Sequence, residues 1–305
     1  MSSRLPLLAI ALLHACAAGT DVPTVDASRD VSAPRDAAVN DVAGDVSTGS
    51  DAGAKDVVLT DAFTPPTDGG CRPNNDGVIT RAEFPGVVGA SALYLVNRDG
   101  VTVDGVNTAG VLTEGVRRWD YSARRMDDQP VLDEVLSPQG RWWSGQYADA
   151  SFASVIDRSS NLLGVYRLSA TALELLGTVS TTANQTNLRF TPPVQILRFP
   201  LRVGDRWQQT VNGNGTVNFT PLVNVTNYST SVDAQGEVWT PAARFPVLRV
   251  NTTLDQSIPL TVFRRALRTY AFITECGGLV ARVASVDNDT AENFTRASEY
   301  RRLNL

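Results

Sequence analysis

Three patterns of apolar and polar positions divide the chain. Residues 5–13 (LPLLAIALL) form an unbroken apolar run directly after Arg4. Residues 17–70 follow neither a helical nor a strand period. Asp recurs there at 21, 26, 30, 36, 41, 45, 51, 56, 61 and 68, and five of these Asp residues precede Val. From Cys71 to Leu305, short runs of Val, Thr, Leu and aromatic residues alternate with polar ones, and turn-forming types interrupt them roughly every 8–12 residues.

The alternation predicts strands at 92–97, 101–106, 116–121, 152–157, 163–168, 173–179 and 194–199, and then at 207–211, 216–225, 229–240, 245–253, 261–273, 279–286 and 294–303. Hairpin turns are expected at Arg98-Asp99-Gly100, Asp104-Gly105, Asn212-Gly213-Asn214-Gly215 and Cys276-Gly277-Gly278, whose residue types tolerate positive φ. Pro192, Pro193 and Pro200 are expected at strand ends, where a missing N–H breaks no ladder. Few stretches hold a helical period. The expected fold is all-β, a large curved antiparallel sheet or open β-barrel rather than a Greek-key sandwich.

Charge separates the acidic segment from the rest of the chain. Residues 17–70 carry ten Asp, no Glu, the three cations Arg29, Arg35 and Lys55, and one aromatic residue, Phe63. Such a composition buries too little apolar surface to offset its ordering entropy, which predicts a disordered linker with an r.m.s. span of about 40 Å. Residues 71–305 hold 23 Arg against 22 acidic residues. A domain that close to neutral offers no basic footprint for nucleic acid.

Arg4 and the apolar run read as a secretory signal that is too short to span a bilayer. Leu13-His14-Ala15-Cys16 comes directly after it and resembles the lipobox of bacterial lipoproteins, with His14 where a small residue is usual. The resemblance implies lipidation at Cys16 and a signal peptide over residues 1–16. The protein would then be anchored at the outer membrane or cell surface. Cleavage after Ala15-Cys16-Ala17 would instead release a soluble periplasmic or secreted protein. Of the three cysteines, lipidation removes Cys16 and leaves Cys71 and Cys276 as a disulfide pair in an exported protein. Two buried free thiols are the alternative.

Four stretches resemble uncharacterised β-rich envelope lipoproteins of high-GC Gram-negative bacteria: Asn161-Leu162-Leu163-Gly164-Val165, Leu201-Arg202-Val203-Gly204-Asp205-Arg206-Trp207, Thr240-Pro241-Ala242-Ala243-Arg244-Phe245 and Gly278-Leu279-Val280-Ala281-Arg282. Related proteins usually carry Gly at the position of Ala243. The motifs mark strand starts and turns, so the resemblance implies an open-barrel fold over most of residues 71–305 and no activity.

The chain has one histidine, His14, and one lysine, Lys55, both before residue 71. The domain therefore lacks the side chains for ordinary Ser-His-Asp or Cys-His catalysis, for histidine metal sites and for a lysine Schiff base. A carboxylate-pair glycoside hydrolase remains open to acids such as Asp127, Asp128, Asp133, Glu134 and Glu237. The start of the domain resembles an EF-hand or dockerin calcium loop. Asn74, Asp76, the Val78 carbonyl, Thr80 and Glu83 fall at ligand spacing, but Arg72 stands where the first acid is expected. The other reading of this loop is a tight turn followed by a Thr80–Glu83 capping box, stopped by Pro85. Apart from that calcium, no cofactor is implied. Trp119, Trp142, Trp143, Trp207 and Trp239 are expected mostly in the core, and the Arg pairs at 117/118, 124/125, 264/265 and 301/302 at solvated edges. These features favour a non-enzymatic envelope protein that binds a partner, glycan or apolar ligand, with a structural or adhesive role as the alternative.

Overall fold

The computed structural model describes residues 71–157 and 161–304. Cys16 and the acidic segment lie outside the described residues. Strands dominate: β1 (Val78–Ile79), β2 (Ser91–Asn97), β3 (Val103–Asp104), β4 (Val111–Thr113), β5 (Val116–Asp120), β6 (Asp128–Glu134), β7 (Phe152–Asp157), β8 (Leu162–Leu168) and β9 (Ala172–Ser180) come first. They are followed by β10 (Asn187–Arg198), β11 (Leu201–Arg202), β12 (Arg206–Val217), β13 (Thr220–Trp239), β14 (Arg244–Ser257), β15 (Arg264–Thr274), β16 (Gly278–Ser285) and β17 (Arg296–Leu303). No helix among the described residues is long and apolar enough to cross a membrane.

The sheet runs β6-β2-β17-β16-β15-β14-β13-β12-β10-β9-β8-β7, and its two ends nearly meet. Just past β6, Leu136 donates its N–H to the Ala153 carbonyl in β7 (2.7 Å) and accepts the Ala153 N–H in return (2.9 Å). The expected curved or barrel-like antiparallel sheet is therefore present. From β7 to β17 it is mostly a meander, with the early strands β2 and β6 completing the circuit.

Side chains alternate across the strands and build cores on both faces. In β14, Leu248, Val250 and Leu254 join Leu188, Trp207 and Leu267 in the cluster that fills the inside of the sheet. Phe245 and Val247 belong to a second cluster with Trp119, Tyr121, Phe272 and Phe294, which fastens the β3–β5 segment to the outside. Trp143 and Tyr147 lead a third cluster, over β8 and β9.

Several turn and strand-end expectations need correction. The chain does turn at Arg98-Asp99-Gly100 and Asp104-Gly105, with Gly100 and Gly105 at positive φ, but neither turn closes a hairpin, because β3 pairs with β17 and not with β2 or β4. Asn212-Gly213-Asn214-Gly215 lies within β12, and the hairpin reverses at Asn218 and Phe219, both at positive φ. Glycine is needed there for close approach. A Cβ on Gly213 would sit 2.1 Å from the Asn224 side-chain oxygen, and one on Gly215 2.0 Å from the Asn187 carbonyl. Pro192 and Pro193 lie within β10, inside the register shift between Arg189 and Val194, where a bulge excuses the missing N–H.

The expectation of solvated arginine pairs holds at Arg124, Arg125 and Arg264, which are exposed, and fails at Arg265, Arg301 and Arg302. Arg301 and Arg302 do point to opposite faces, yet they are only 8% and 0% exposed, and Arg265 is 4% exposed. Glu299 accepts from Arg282 Nη1 and Arg301 Nε, each at 2.8 Å, while Arg301 also pairs with Asp133 and Arg302 with Asp128. Charge pairing allows the guanidinium groups to be buried.

Candidate functional site

Four long strands present a polar outer face. Pairing aligns Gln208, Ser229, Thr253 and Arg268 in one row across β12, β13, β14 and β15, and Arg206, Ser231, Asn251 and Tyr270 in the next. Strand spacing makes each row about 14 Å wide and sets the rows about 7 Å apart. The rows line a groove of about 760 Å³, bounded by Asp233 on β13 and by Glu292 and Asn293 before β17.

One network fixes its floor. Arg249 Nε and Nη2 donate to the two Asp233 carboxylate oxygens at 2.7 and 3.1 Å, and Arg249 Nη1 donates to the Thr108 carbonyl at 2.6 Å. The Arg249 guanidinium also lies 4.3 Å from the Tyr270 ring centroid and 5.1 Å from that of Trp119. Asn251 Nδ2 donates to Asp233 Oδ2 (2.9 Å), and Arg268 Nη1 donates to Asn251 Oδ1 (2.8 Å). Burial raises the Tyr270 phenol, whose hydroxyl donates to the Glu292 carbonyl at 2.5 Å. By contrast, Arg206, Gln208, Ser229, Ser231, Thr253, Glu292 and Asn293 have no side-chain hydrogen bond or ion pair among the described residues. The groove is thus a rigid floor carrying unengaged donors and acceptors.

The sequence pattern did not reveal this groove. Its signal is the small polar side chains at alternate outward positions, Ser229 and Ser231 beside Asn251 and Thr253. What makes them a site is the register between strands, which spacing along the chain does not carry.

The residues named from sequence fall elsewhere. Cys71 and Cys276 form a disulfide, with Cα atoms 5.7 Å apart across a separation of 205 residues. Beside it, Glu275 Oε2 accepts the N–H groups of Asn74 and Asn75 at 2.6 and 2.8 Å, so two independent ties hold the start of the domain to the β15–β16 turn. Replacing both cysteines with Ser is expected to lower stability by about 2–4 kcal/mol, read as an earlier denaturant midpoint with the near-UV spectrum otherwise retained.

In the calcium-like loop, Asp76 Oδ1 accepts the Val78 N–H (2.8 Å) and Asn74 Oδ1 accepts the Asp76 N–H (3.0 Å). Glu83 Oε2 turns back to accept from Thr80 N (2.9 Å) and Thr80 Oγ1 (2.7 Å), forming a capping box before the 3₁₀ turn Arg81–Glu83. The Val78 backbone belongs to the β1–β11 ribbon. No cluster of three or more His, Cys, Asp or Glu side chains able to hold a metal occurs among the described residues.

The candidate hydrolase acids are spread over the β6 region and β13. Asp127, Asp128, Asp133 and Glu237 pair with Arg125, Arg302, Arg301 and Arg118, respectively. None of the five tryptophans is exposed. Trp119, Trp143 and Trp207 are buried, Trp142 donates to the Ser180 carbonyl (3.0 Å), and Trp239 lies under Arg244 at 3.9 Å.

Fold and groove together define a class: an all-β domain with a nearly closed antiparallel sheet and a polar groove on its outer face. No family model matches the chain, and no curated protein matches it. Among solved structures it is similar to a Parabacteroides distasonis protein named as a lipoprotein, with a TM-score of 0.35 and 9% identity over 74% of this chain and 97% of that one. It is also similar to a Bacteroides fragilis protein named as exported and of YmcC-like fold (TM-score 0.36, 10% identity, 74% and 97% covered). A third similarity is to the hypothetical lipoprotein YmcC of Escherichia coli (TM-score 0.33, 8% identity, 71% and 87% covered).

Proposed function

We propose that this is an exported, non-enzymatic envelope protein, held to a membrane by lipid at Cys16, whose domain binds a polar ligand of the glycan class in the β12–β15 groove. The observation that carries the reading is the set of unengaged side chains Gln208, Ser229, Ser231, Thr253 and Asn293 on the fixed floor of that groove. A hydroxyl-rich ligand satisfies many such donors and acceptors at once, and polar groups that stay solvated until binding need no rearrangement. Asp233, the carboxylate nearest the floor, has both oxygens bonded to Arg249, which leaves it poorly placed as a nucleophile or general base.

Export is supported by the Cys71–Cys276 disulfide, a bond that persists in oxidising compartments, together with the signal-like first residues. The apolar cluster filling the inside of the sheet favours the outer groove over an apolar cargo. Titration of the protein with neutral and acidic envelope oligosaccharides tests the reading. Binding is expected in the parent, at least about tenfold weaker in Ser231→Arg and Thr253→Arg, whose long side chains occupy the groove, with no hydrolysis product. A parent that binds none of them, or groove variants that bind equally well, would contradict it.

A further inference from the structure

The end of the sheet away from Cys71 carries apolar side chains that nothing covers. β15 runs from Arg264 at this end to Thr274 beside the disulfide, so the two features sit at opposite ends of the strand. In the loop between β14 and β15, Leu260 and Val262 are fully exposed, at 107% and 103%. On the neighbouring β12–β13 hairpin, Val223 and Phe219 are 50% and 67% exposed. Val225 pairs with Ser257, which brings Val223 beside the start of the β14–β15 loop.

The loop is built to hold these side chains outward. Thr261 Oγ1 donates to the Ile258 carbonyl (2.8 Å) and accepts the Phe263 N–H (3.1 Å), so the turn closes on its own hydroxyl between Leu260 and Val262. Leu260 and Phe219 both occupy the left-handed region, at φ 63° and 62°, where Gly or Asn is the ordinary choice. Large apolar residues thus stand at two reversals where a small polar residue would be less strained and better solvated.

Charge indicates what covers them. Residues 175–204, 206–232 and 256–274 contain no Asp or Glu, and these stretches supply the β9–β10 turn, the β12–β13 hairpin and the β14–β15 loop at this end. Arg264 is exposed, with no ion-pair partner among the described residues. Nearby carboxylates are Asp255, two residues inside β14, Asp287, paired with Arg265 at 2.7 Å, and Asp289, which bridges Leu267 and whose Oδ1 accepts the Ala291 N–H at 3.1 Å. Separate apolar tips on stretches that themselves hold no carboxylate, beside an exposed arginine with no ion-pair partner among the described residues, suit a surface that is apolar beneath and anionic above. They offer no continuous apolar face to a folded partner.

We propose that this end of the domain docks on an anionic lipid bilayer, with Leu260, Val262, Val223 and Phe219 entering the interface and Arg264 facing the headgroups. The docking is independent of lipid at Cys16 and of the polar groove. Its test uses the chain from Ala17 onward, which contains every described strand and the disulfide and carries no acyl group. This protein is sedimented with phosphatidylcholine vesicles with and without phosphatidylglycerol.

The parent is expected to bind the anionic vesicles. Binding should fall at least about tenfold in the double variant Leu260→Ser, Val262→Ser, and severalfold in Arg264→Gln or at high salt. The substituted side chains are exposed, so an unchanged melting temperature certifies the fold of each variant. The proposal is overturned by a parent that ignores anionic vesicles, or by a folded double variant that binds them as the parent does. Parent self-association that the double variant loses would assign the tips to a second copy and overturn it equally.

Discussion

Above about pH 10 the domain is expected to lose stability steadily and to unfold by about pH 12. All seven tyrosines are raised above the ordinary phenol value, in each case mainly by burial. Tyr166 and Tyr300 are pushed up to about 12 even though Ser154 bonds one and Arg302 sits beside the other, both of which act in the opposite direction. Below pH 10 these phenols are neutral in both the folded and the unfolded chain, and their preference for burial is fully expressed. As the pH rises past 10, the unfolded chain ionises first, and the contribution disappears through the folded value near 12. Each of these two contributes about 2–3 kcal/mol, and the other five add to it. Circular dichroism followed beside tyrosinate absorbance checks this. Both should change together, and ionisation near pH 10 with the sheet intact would refute it.

Glu299→Gln is expected to be the most damaging isosteric substitution in the domain, at about 3–5 kcal/mol. Glu299 is 1% exposed and accepts from Arg282 and Arg301, so removing its charge takes from two buried guanidinium groups a carboxylate that both engage. Arg301 keeps Asp133 as a partner, which places the effect towards the lower end of the range. For a domain of this length the melting temperature should fall by roughly 6–20 °C. Combining Glu299→Leu with Arg282→Met should cost less than the sum of the two alone, because the two side chains meet in one buried ion pair. A thermal melt of the two single variants and the pair decides the matter.

The alternating pattern from 229 to 303 revealed the long strands because one face of each packs on a core. The same pattern could not show that the other face of β14 also becomes buried near Phe245 and Val247, where a distant segment lies over it. The strand β6 was hidden by Pro130 and by the acids Asp128, Asp133 and Glu134, whose apolar content is low because charge pairs, not apolar packing, hold part of this strand. The buried arginines were misread for the same reason. A guanidinium enters a core only when its partner arrives from another strand, and Asp133 lies 168 residues from Arg301. Glycine misled at 213 and 215 because a close approach and a turn make the same demand on sequence.

The groove was illegible for a related reason. Gln208, Ser229 and Thr253 become neighbours only through pairing across three strands, while Cys71 and Cys276 announce their relation by residue type alone. The disulfide was therefore legible in the sequence, and the groove was not.

Intact mass spectrometry of the mature protein purified from membranes, with thiols alkylated before and after reduction, tests most directly that this is an exported domain tethered at its first residue. The expected result is an acylated Cys16 at the N-terminus, with Cys71 and Cys276 labelled only after reduction. A mature N-terminus without lipid, or Cys71 and Cys276 labelled in the native protein, would contradict it.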